Sequence, residues 1–203
     1  RRGPRPRTPP GDRPPRPEAG ERDAHEEWRE AARLRAGPGG RPPPGAQRMA
    51  DRLSLVQQKI TQACALAGRS EDEVCLVVVT KNHGEKLVLD LLQLGVRDFG
   101  ENRDQEAAPK SKALREQTEL DYRWHFIGQL QSNKARSMLD YSAVLHSLDR
   151  ESLLTALIKE TERAQRSLDV FIQLNLTEDP NRGGIHPSNL ESFANLVLAQ
   201  PRL

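Results

Sequence analysis

Apolar and polar residues alternate in a regular way from about residue 50 to the end of the chain. Leu53, Val56, Ile60 and Ala63 recur at a spacing of three or four residues, which predicts an amphipathic helix that ends at Gly68. Short apolar runs then alternate with segments of helical periodicity. The predicted strands are 74–81, 96–101, 123–128, 142–147 and 168–176. The predicted helices are 85–94, 102–117, 132–139, 149–165 with Asp149 as its cap, and a last helix opened by a Ser188–Glu191 capping box.

Strict alternation of strand and helix favours a parallel sheet covered by helices. The strands are almost continuously apolar, as strands buried on both faces must be. The first strand is followed by TKNHGEK rather than GxGxxG, which argues against a dinucleotide-binding domain. A TIM-type (β/α)8 barrel needs about 250 residues. The sequence therefore predicts an α/β chain with the first five βα units of such a barrel.

Composition changes sharply near residue 48. Residues 1–50 contain 11 of the 15 prolines and no lysine, and such a segment cannot bury enough apolar surface to offset its chain entropy. This segment is either a basic arm that binds nucleic acid or a membrane surface, or a disordered leader. We expect residues 1–48 to be a disordered leader and residues 49–203 to be a partial barrel domain.

The remaining composition excludes several classes of protein. A net charge of +2 gives no strong field toward nucleic acid, and two cysteines are too few for a disulfide scaffold. No apolar run is long enough to cross a bilayer. We expect a cytoplasmic protein that binds neither nucleic acid nor membrane.

Lys81 follows the apolar run CLVVVT directly. Active sites of (β/α)8 barrels lie at the carboxyl ends of the strands, where this chain also places Asn102 and Asn175. A lysine there is either an ordinary solvated residue or a partly buried one. Partial burial would lower its pKa, so that the neutral amine could form a Schiff base with a carbonyl group. The residues alone leave both interpretations open.

His125 lies in the middle of the third predicted strand. A lone histidine there is either a satisfied core residue or a catalyst. No histidines and carboxylates have the spacing of metal ligands, and neither Cys64 nor Cys75 has a convincing histidine partner. We therefore expect no metal site and no cysteine catalysis.

Five segments follow one another in a specific order: VVTK with Lys81, DFGENRDQEA, WHFIGQLQSNKAR, VLHSLD and FIQLNL. Together they resemble the pyridoxal phosphate (PLP) homeostasis protein family, which is related to the barrel of alanine racemase. The resemblance runs from about Met49 to Leu203. It implies a fold-type III PLP barrel in which Lys81 holds pyridoxal 5′-phosphate as a Schiff base, with Asn102, His125 and Asn175 near the cofactor.

The same resemblance implies a role in intracellular PLP homeostasis without catalytic residues. We expect a monomer that passes its cofactor to PLP-dependent apo-enzymes. The alternative is a fold-type III enzyme such as an amino-acid racemase, which needs a second acid or base, often a tyrosine. Tyr122 and Tyr141 come at the starts of predicted strands, the wrong end of a barrel, which favours the carrier. A class I-type aldolase that uses Lys81 suits the barrel but not the ordered segments.

Family members continue with a GMS strand end and a GSTxVRxG segment that binds the phosphate. The printed chain reaches Leu203 without such a segment, so we expect it to be truncated at the C-terminus. TEDPNRGG, at 177–184, stands where many members have a short Glu-Lys-Ser-Gly stretch. Arg182 supplies the basic residue in the place of that lysine.

Overall fold

Five parallel strands form one sheet in which each strand pairs with the next along the chain. The computed structural model describes residues 44–179 and 181–203. The strands are β1 (Val77–Val79), β2 (Asp98–Glu101), β3 (Arg123–Phe126), β4 (Ser142–Leu148) and β5 (Asp169–Ile172). Strand order equal to chain order is the arrangement of a barrel wall, whereas a doubly wound sheet reverses direction. The predicted first five units of a (β/α)8 barrel are confirmed.

Helices connect the strands and cover one face of the sheet, here called the helix side. They are α1 (Pro44–Ala67), α2 (Glu85–Gln93), α3 (Asp104–Arg115), α4 (Ala135–Leu139), α5 (Glu151–Ala164) and α6 (Leu190–Leu198), with 3-10 turns at Glu71–Glu73, Ser132–Lys134 and Pro187–Asn189. No helix in this described part of the chain has the length and apolar character of a membrane span.

The two faces of the sheet follow from the alternation of side chains along each strand. Phe99, Trp124 and Phe126 are buried in the hydrophobic core on the helix side. The opposite face, here called the inner face, corresponds to the interior of a barrel. Val79 and Phe171 lie there and remain 44% and 57% exposed. Part of the inner face of this chain is therefore open to solvent.

Some predicted boundaries and caps differ from the structure. The first strand begins at Val77 rather than residue 74, because Val74 ends the 3-10 turn Glu71–Glu73 and donates its N–H to Glu71. Arg150, not Asp149, precedes α5 as its N-cap, and no side chain caps that helix. The Ser188–Glu191 capping box is also wrong, since a 3-10 turn capped by His186 comes before α6.

The first helix begins at Pro44 and crosses the predicted domain boundary at residue 48. Met49 and Ala50 pack against the hydrophobic core. Most of the predicted leader, residues 1–43, lies outside the described residues. The division of the chain near residue 48 stays a prediction.

Candidate functional site

The carboxyl ends of the five strands lie along one margin of the sheet, here called the carboxyl edge. Lys81 lies at the end of β1, because Thr80 N–H still donates to Gly100 O of β2 at 3.0 Å. Asn102 follows β2 directly, and Asn175 lies three residues beyond β5. The structure thus brings three of the four predicted site residues to the same edge.

The backbone around Lys81 is fixed on both sides. The Thr80 carbonyl accepts hydrogen bonds from His83 N–H at 3.1 Å and from Lys110 Nζ at 3.0 Å. Asn82 adopts a left-handed conformation, with φ of 63°, and its N–H donates to Glu106 Oε2 at 3.2 Å. These bonds hold the turn that presents Lys81 in one conformation.

The side chain of Lys81 is exposed. Its ammonium group makes no hydrogen bond or ion pair with residues 44–179 or 181–203. Of the two interpretations that the residues alone left open, the side chain thus has the exposure of the solvated lysine. What the structure provides is a fixed backbone with an unengaged amine.

A buried polar group on the helix side supports this turn, and we call its three residues, Thr80, Glu101 and Lys110, the Glu101–Lys110 cluster. Lys110 Nζ lies 2.6 Å from Glu101 Oε1, and Thr80 Oγ1 donates to the same oxygen at 2.7 Å. Glu101 and Thr80 are fully buried and Lys110 is 7% exposed. Sequence reasoning missed this cluster, because no periodicity marks a lysine on a polar helix as buried.

Gly128, just beyond β3, lies against the backbone of Asn102, just beyond β2. A Cβ atom on Gly128 would lie 2.2 Å from the carbonyl oxygen of Asn102, so only glycine permits this close approach. Ser147 Oγ donates to Gly128 O at 2.5 Å. The position of Asn102 at the edge thus depends on the backbone of the neighbouring strand.

Asn175 organises the loop after β5. Its Nδ2 donates to the carbonyls of Asp179 at 2.8 Å and Arg182 at 3.3 Å. Its Oδ1 accepts from the N–H and hydroxyl of Thr177 at 2.9 and 2.7 Å. The amide of Asn175 is therefore used to shape the loop at the carboxyl edge.

His125 is not brought to the carboxyl edge. Its side chain lies on the inner face, with Nε2 2.8 Å from Asp98 Oδ1 and Nδ1 2.9 Å from His146 Nε2. Asp98 is the first residue of β2, so the ring is directed toward the amino ends of the strands. Both ring nitrogens are engaged there, and contact of His125 with a cofactor stays a prediction.

The ionisable groups around His125 influence one another. Burial tends to raise the pKa of Asp98, but the hydrogen bond to His125 and the charge of Arg123 outweigh it and hold that pKa below its usual value. Burial and then the neighbouring His125 lower the pKa of His146. Burial and the Asp98 carboxylate raise the pKa of the Cys75 thiol.

Both tyrosines lie at the amino ends of strands, as predicted. Tyr122 comes directly before β3 and Tyr141 directly before β4. The Tyr141 hydroxyl is buried and donates to Asp104 Oδ1 at 3.3 Å. Burial and then the Asp104 carboxylate strongly raise the pKa of Tyr141.

Residues 52–203 match the family model described as alanine racemase, N-terminal domain. The chain belongs to this family. Together with the relatives described next, this match confirms the predicted resemblance.

Named relatives within this family cover most of the described chain. The chain is 34% identical over 153 residues to a pyridoxal phosphate homeostasis protein of Aquifex aeolicus, covering 75% of this chain and 66% of that protein. It is 34% identical over 155 residues to the protein of that name from Escherichia coli, covering 76% of this chain and 66% of that protein. The chain thus spans about two thirds of the length of these relatives.

A solved structure shows the same fold. PipY of Synechococcus elongatus PCC7942, determined with PLP bound, is 30% identical and superposes with a TM-score of 0.59 over 70% of this chain and 65% of PipY. This similarity confirms the partial (β/α) barrel.

Proposed function

We propose that this chain belongs to a PLP-binding protein of PLP homeostasis, which holds pyridoxal 5′-phosphate as a Schiff base on Lys81. The observation that carries the proposal is the unengaged amine of Lys81 on a fixed turn at the carboxyl edge. The names of the relatives and the PLP bound to PipY support the choice of cofactor.

The residues present fit the aldehyde end of the cofactor. When bound, PLP supplies an aldehyde that condenses with a primary amine and a conjugated ring that absorbs visible light. Three of the other lysines are engaged: Lys110 with Glu101, Lys86 with Asp90 at 2.8 Å, and Lys134 with Asp104 at 3.8 Å. Lys59, Lys112 and Lys159 are not at the carboxyl edge, since each lies within a helix. Lys81 needs to break no ion pair in order to react.

The positions of the tyrosines favour a carrier over an amino-acid racemase. A racemase needs a second acid or base near the cofactor, and both tyrosines of this chain lie at the opposite ends of the strands. Tyr141 also keeps its proton in the bond to Asp104, because burial raises its pKa. Within this chain no tyrosine is placed to move a proton beside Lys81.

The amides at the carboxyl edge take supporting roles in this proposal. Asn102 follows β2, the strand next to that of Lys81, and Asn175 shapes the loop after β5 at the same edge. His125 lies in the layer below, where it is bonded to Asp98 and His146. A monomeric, cytoplasmic protein that delivers PLP to apo-enzymes is the wider form of the proposal, and the family resemblance supports it.

Absorbance titration with PLP tests the proposal. The unmodified chain and a Lys86→Ala variant should develop the visible band of the Schiff base, whereas Lys81→Ala should not. Incubation of the PLP-loaded chain with L-alanine should produce no more D-alanine than free PLP does. A band that persists in Lys81→Ala would contradict the attachment site, and stereospecific turnover would favour the racemase.

A further inference from the structure

Three residues with metal-binding side chains meet on the inner face, away from Lys81. Cys75 Sγ, a carboxylate oxygen of Asp98 and a ring nitrogen of His125 all lie within 4.8 Å of one another. They come from positions in or beside three neighbouring strands, β1, β2 and β3. Their meeting is produced by the sheet, and no spacing in the sequence predicts it.

The size and chemistry of this group suit zinc. Zinc binds thiolate, imidazole and carboxylate ligands at about 2.0–2.3 Å, so tetrahedral ligand atoms lie about 3.3–3.8 Å apart. Separations below 4.8 Å need only small side-chain movements to reach that geometry. A mixed set of thiolate, imidazole and carboxylate also disfavours calcium and magnesium, which prefer oxygen ligands alone.

We propose that Cys75 Sγ, the Asp98 carboxylate and His125 Nε2 form a binding site for Zn²⁺ or a similar divalent transition metal. Three protein ligands leave a fourth position for water. The site differs from the expectation of no metal, which rested on spacing along the sequence.

His146 completes the arrangement as an outer-shell partner. Its Nε2 lies 2.9 Å from His125 Nδ1. When His125 Nδ1–H donates to this nitrogen, the lone pair of His125 Nε2 is turned toward Cys75 and Asp98. Outer-shell partners of this kind fix the tautomer and orientation of a metal-binding histidine.

Arg123 competes with a cation for the same position. Its Nη2 lies 2.8 Å from Asp98 Oδ1 and 3.9 Å from Cys75 Sγ. Its side chain is 54% exposed, so the guanidinium group can rotate into solvent. Removal of this positive charge should strengthen metal binding.

The proposed metal site is separate from the proposed cofactor site. Cys75 precedes Lys81 by six residues on an extended chain, a separation of about 20 Å. Loss of one site therefore does not imply loss of the other.

Metal binding can be measured directly on the 203-residue chain. After removal of metals, Zn²⁺ is titrated in competition with a chromophoric chelator, and Co²⁺ is added separately to look for a thiolate-to-cobalt absorption band. We expect one ion per chain and a cobalt band that disappears in Cys75→Ser. Cys64→Ser is the matched control, because Cys64 lies on α1 outside this group, and it should keep both properties.

Further variants give graded expectations. His146→Gln should weaken Zn²⁺ binding by about 10–100-fold, the usual effect of losing an outer-shell partner. Asp98→Asn and Cys75→Ser should weaken it more, and Arg123→Gln should strengthen it. Circular dichroism confirms that each variant is folded. Absence of Zn²⁺ binding to the unmodified chain would overturn the proposal. So would Zn²⁺ binding by the folded Cys75→Ser and Asp98→Asn variants that is as tight as in the unmodified chain.

Discussion

The two faces of the sheet place lysine in opposite environments. On the helix side, Lys110 is buried and bonded to Glu101 and to the Thr80 carbonyl. On the inner side, Lys81 is exposed and its ammonium group is unengaged within the described chain. The two residues meet at one backbone group, since the carbonyl that Lys110 holds belongs to the residue directly before Lys81.

The two environments suit different roles: a buried lysine stabilises the fold, whereas an exposed lysine is free to react. A buried ammonium group must keep its partners, because an unpaired charge in the interior is costly. An exposed amine on a fixed turn keeps its freedom to react while its backbone stays in place. Lys110 thus stabilises the fold and holds the turn before Lys81, which is the proposed attachment site of the cofactor.

Replacement of Lys110 and of Lys81 by methionine, in two separate variants, should give the largest difference in the free energy of unfolding. Lys110→Met removes the charge partner of the buried Glu101 carboxylate, which keeps only the Thr80 hydroxyl on Oε1, since Oε2 has no partner among the described residues. We expect the free energy of unfolding to fall by about 3–5 kcal/mol. Lys81→Met should change it by less than about 0.5 kcal/mol. Urea unfolding of both variants measures the difference, and equal losses would show that the two environments are alike.

Substitution of Gly128 tests how closely the ends of β2 and β3 approach each other at the carboxyl edge. Gly128→Ala places a Cβ atom against the carbonyl oxygen of Asn102. Overpacking of this kind costs about 1–3 kcal/mol. Gly84→Ala is the matched control, because nothing lies within 4 Å of a Cβ atom there. Similar unfolding free energies for the two variants would mean that the ends of β2 and β3 are not in close contact.

The pH dependence of the unfolding free energy tests the buried contact between Tyr141 and Asp104 on the helix side. Tyr141→Phe removes the bond to Asp104 and should cost about 1 kcal/mol at pH 7. The folded pKa of Tyr141 is raised, so its contribution is complete below the unfolded value of about 10 and is lost as the pH rises above it. The unmodified chain should therefore lose stability above pH 10 more steeply than Tyr141→Phe. Parallel curves would contradict the raised pKa.

The smallest effect is expected at the exposed Lys86–Asp90 pair. Lys86→Ala breaks an ion pair between helix positions four residues apart. Such exposed pairs contribute about 0.3–0.5 kcal/mol. Thermal unfolding in low and high salt measures this contribution, which salt should reduce. A loss as large as that of Lys110→Met would show that exposure does not distinguish the ion pairs of this chain.

The sequence predicted the sheet well because its rule is local. Alternation of apolar runs and helical segments led to five parallel strands in chain order, and the end of the first strand located Lys81. The Glu101–Lys110 cluster could not be predicted, because the pairing of residues on β2 and α3 depends on how the helix packs. The contacts of the His125 ring with Asp98 and His146 could not be predicted either, because they depend on the register of β3 with β2 and β4. The expected place of His125 near the cofactor stays a prediction.

Reductive labelling tests the division between the two lysines most directly. The chain is incubated with PLP, reduced with borohydride, digested and analysed by mass spectrometry. The account predicts that the pyridoxyl group is found on the peptide containing Lys81. Labelling of Lys110, Lys86 or Lys134 in preference to Lys81 would contradict it.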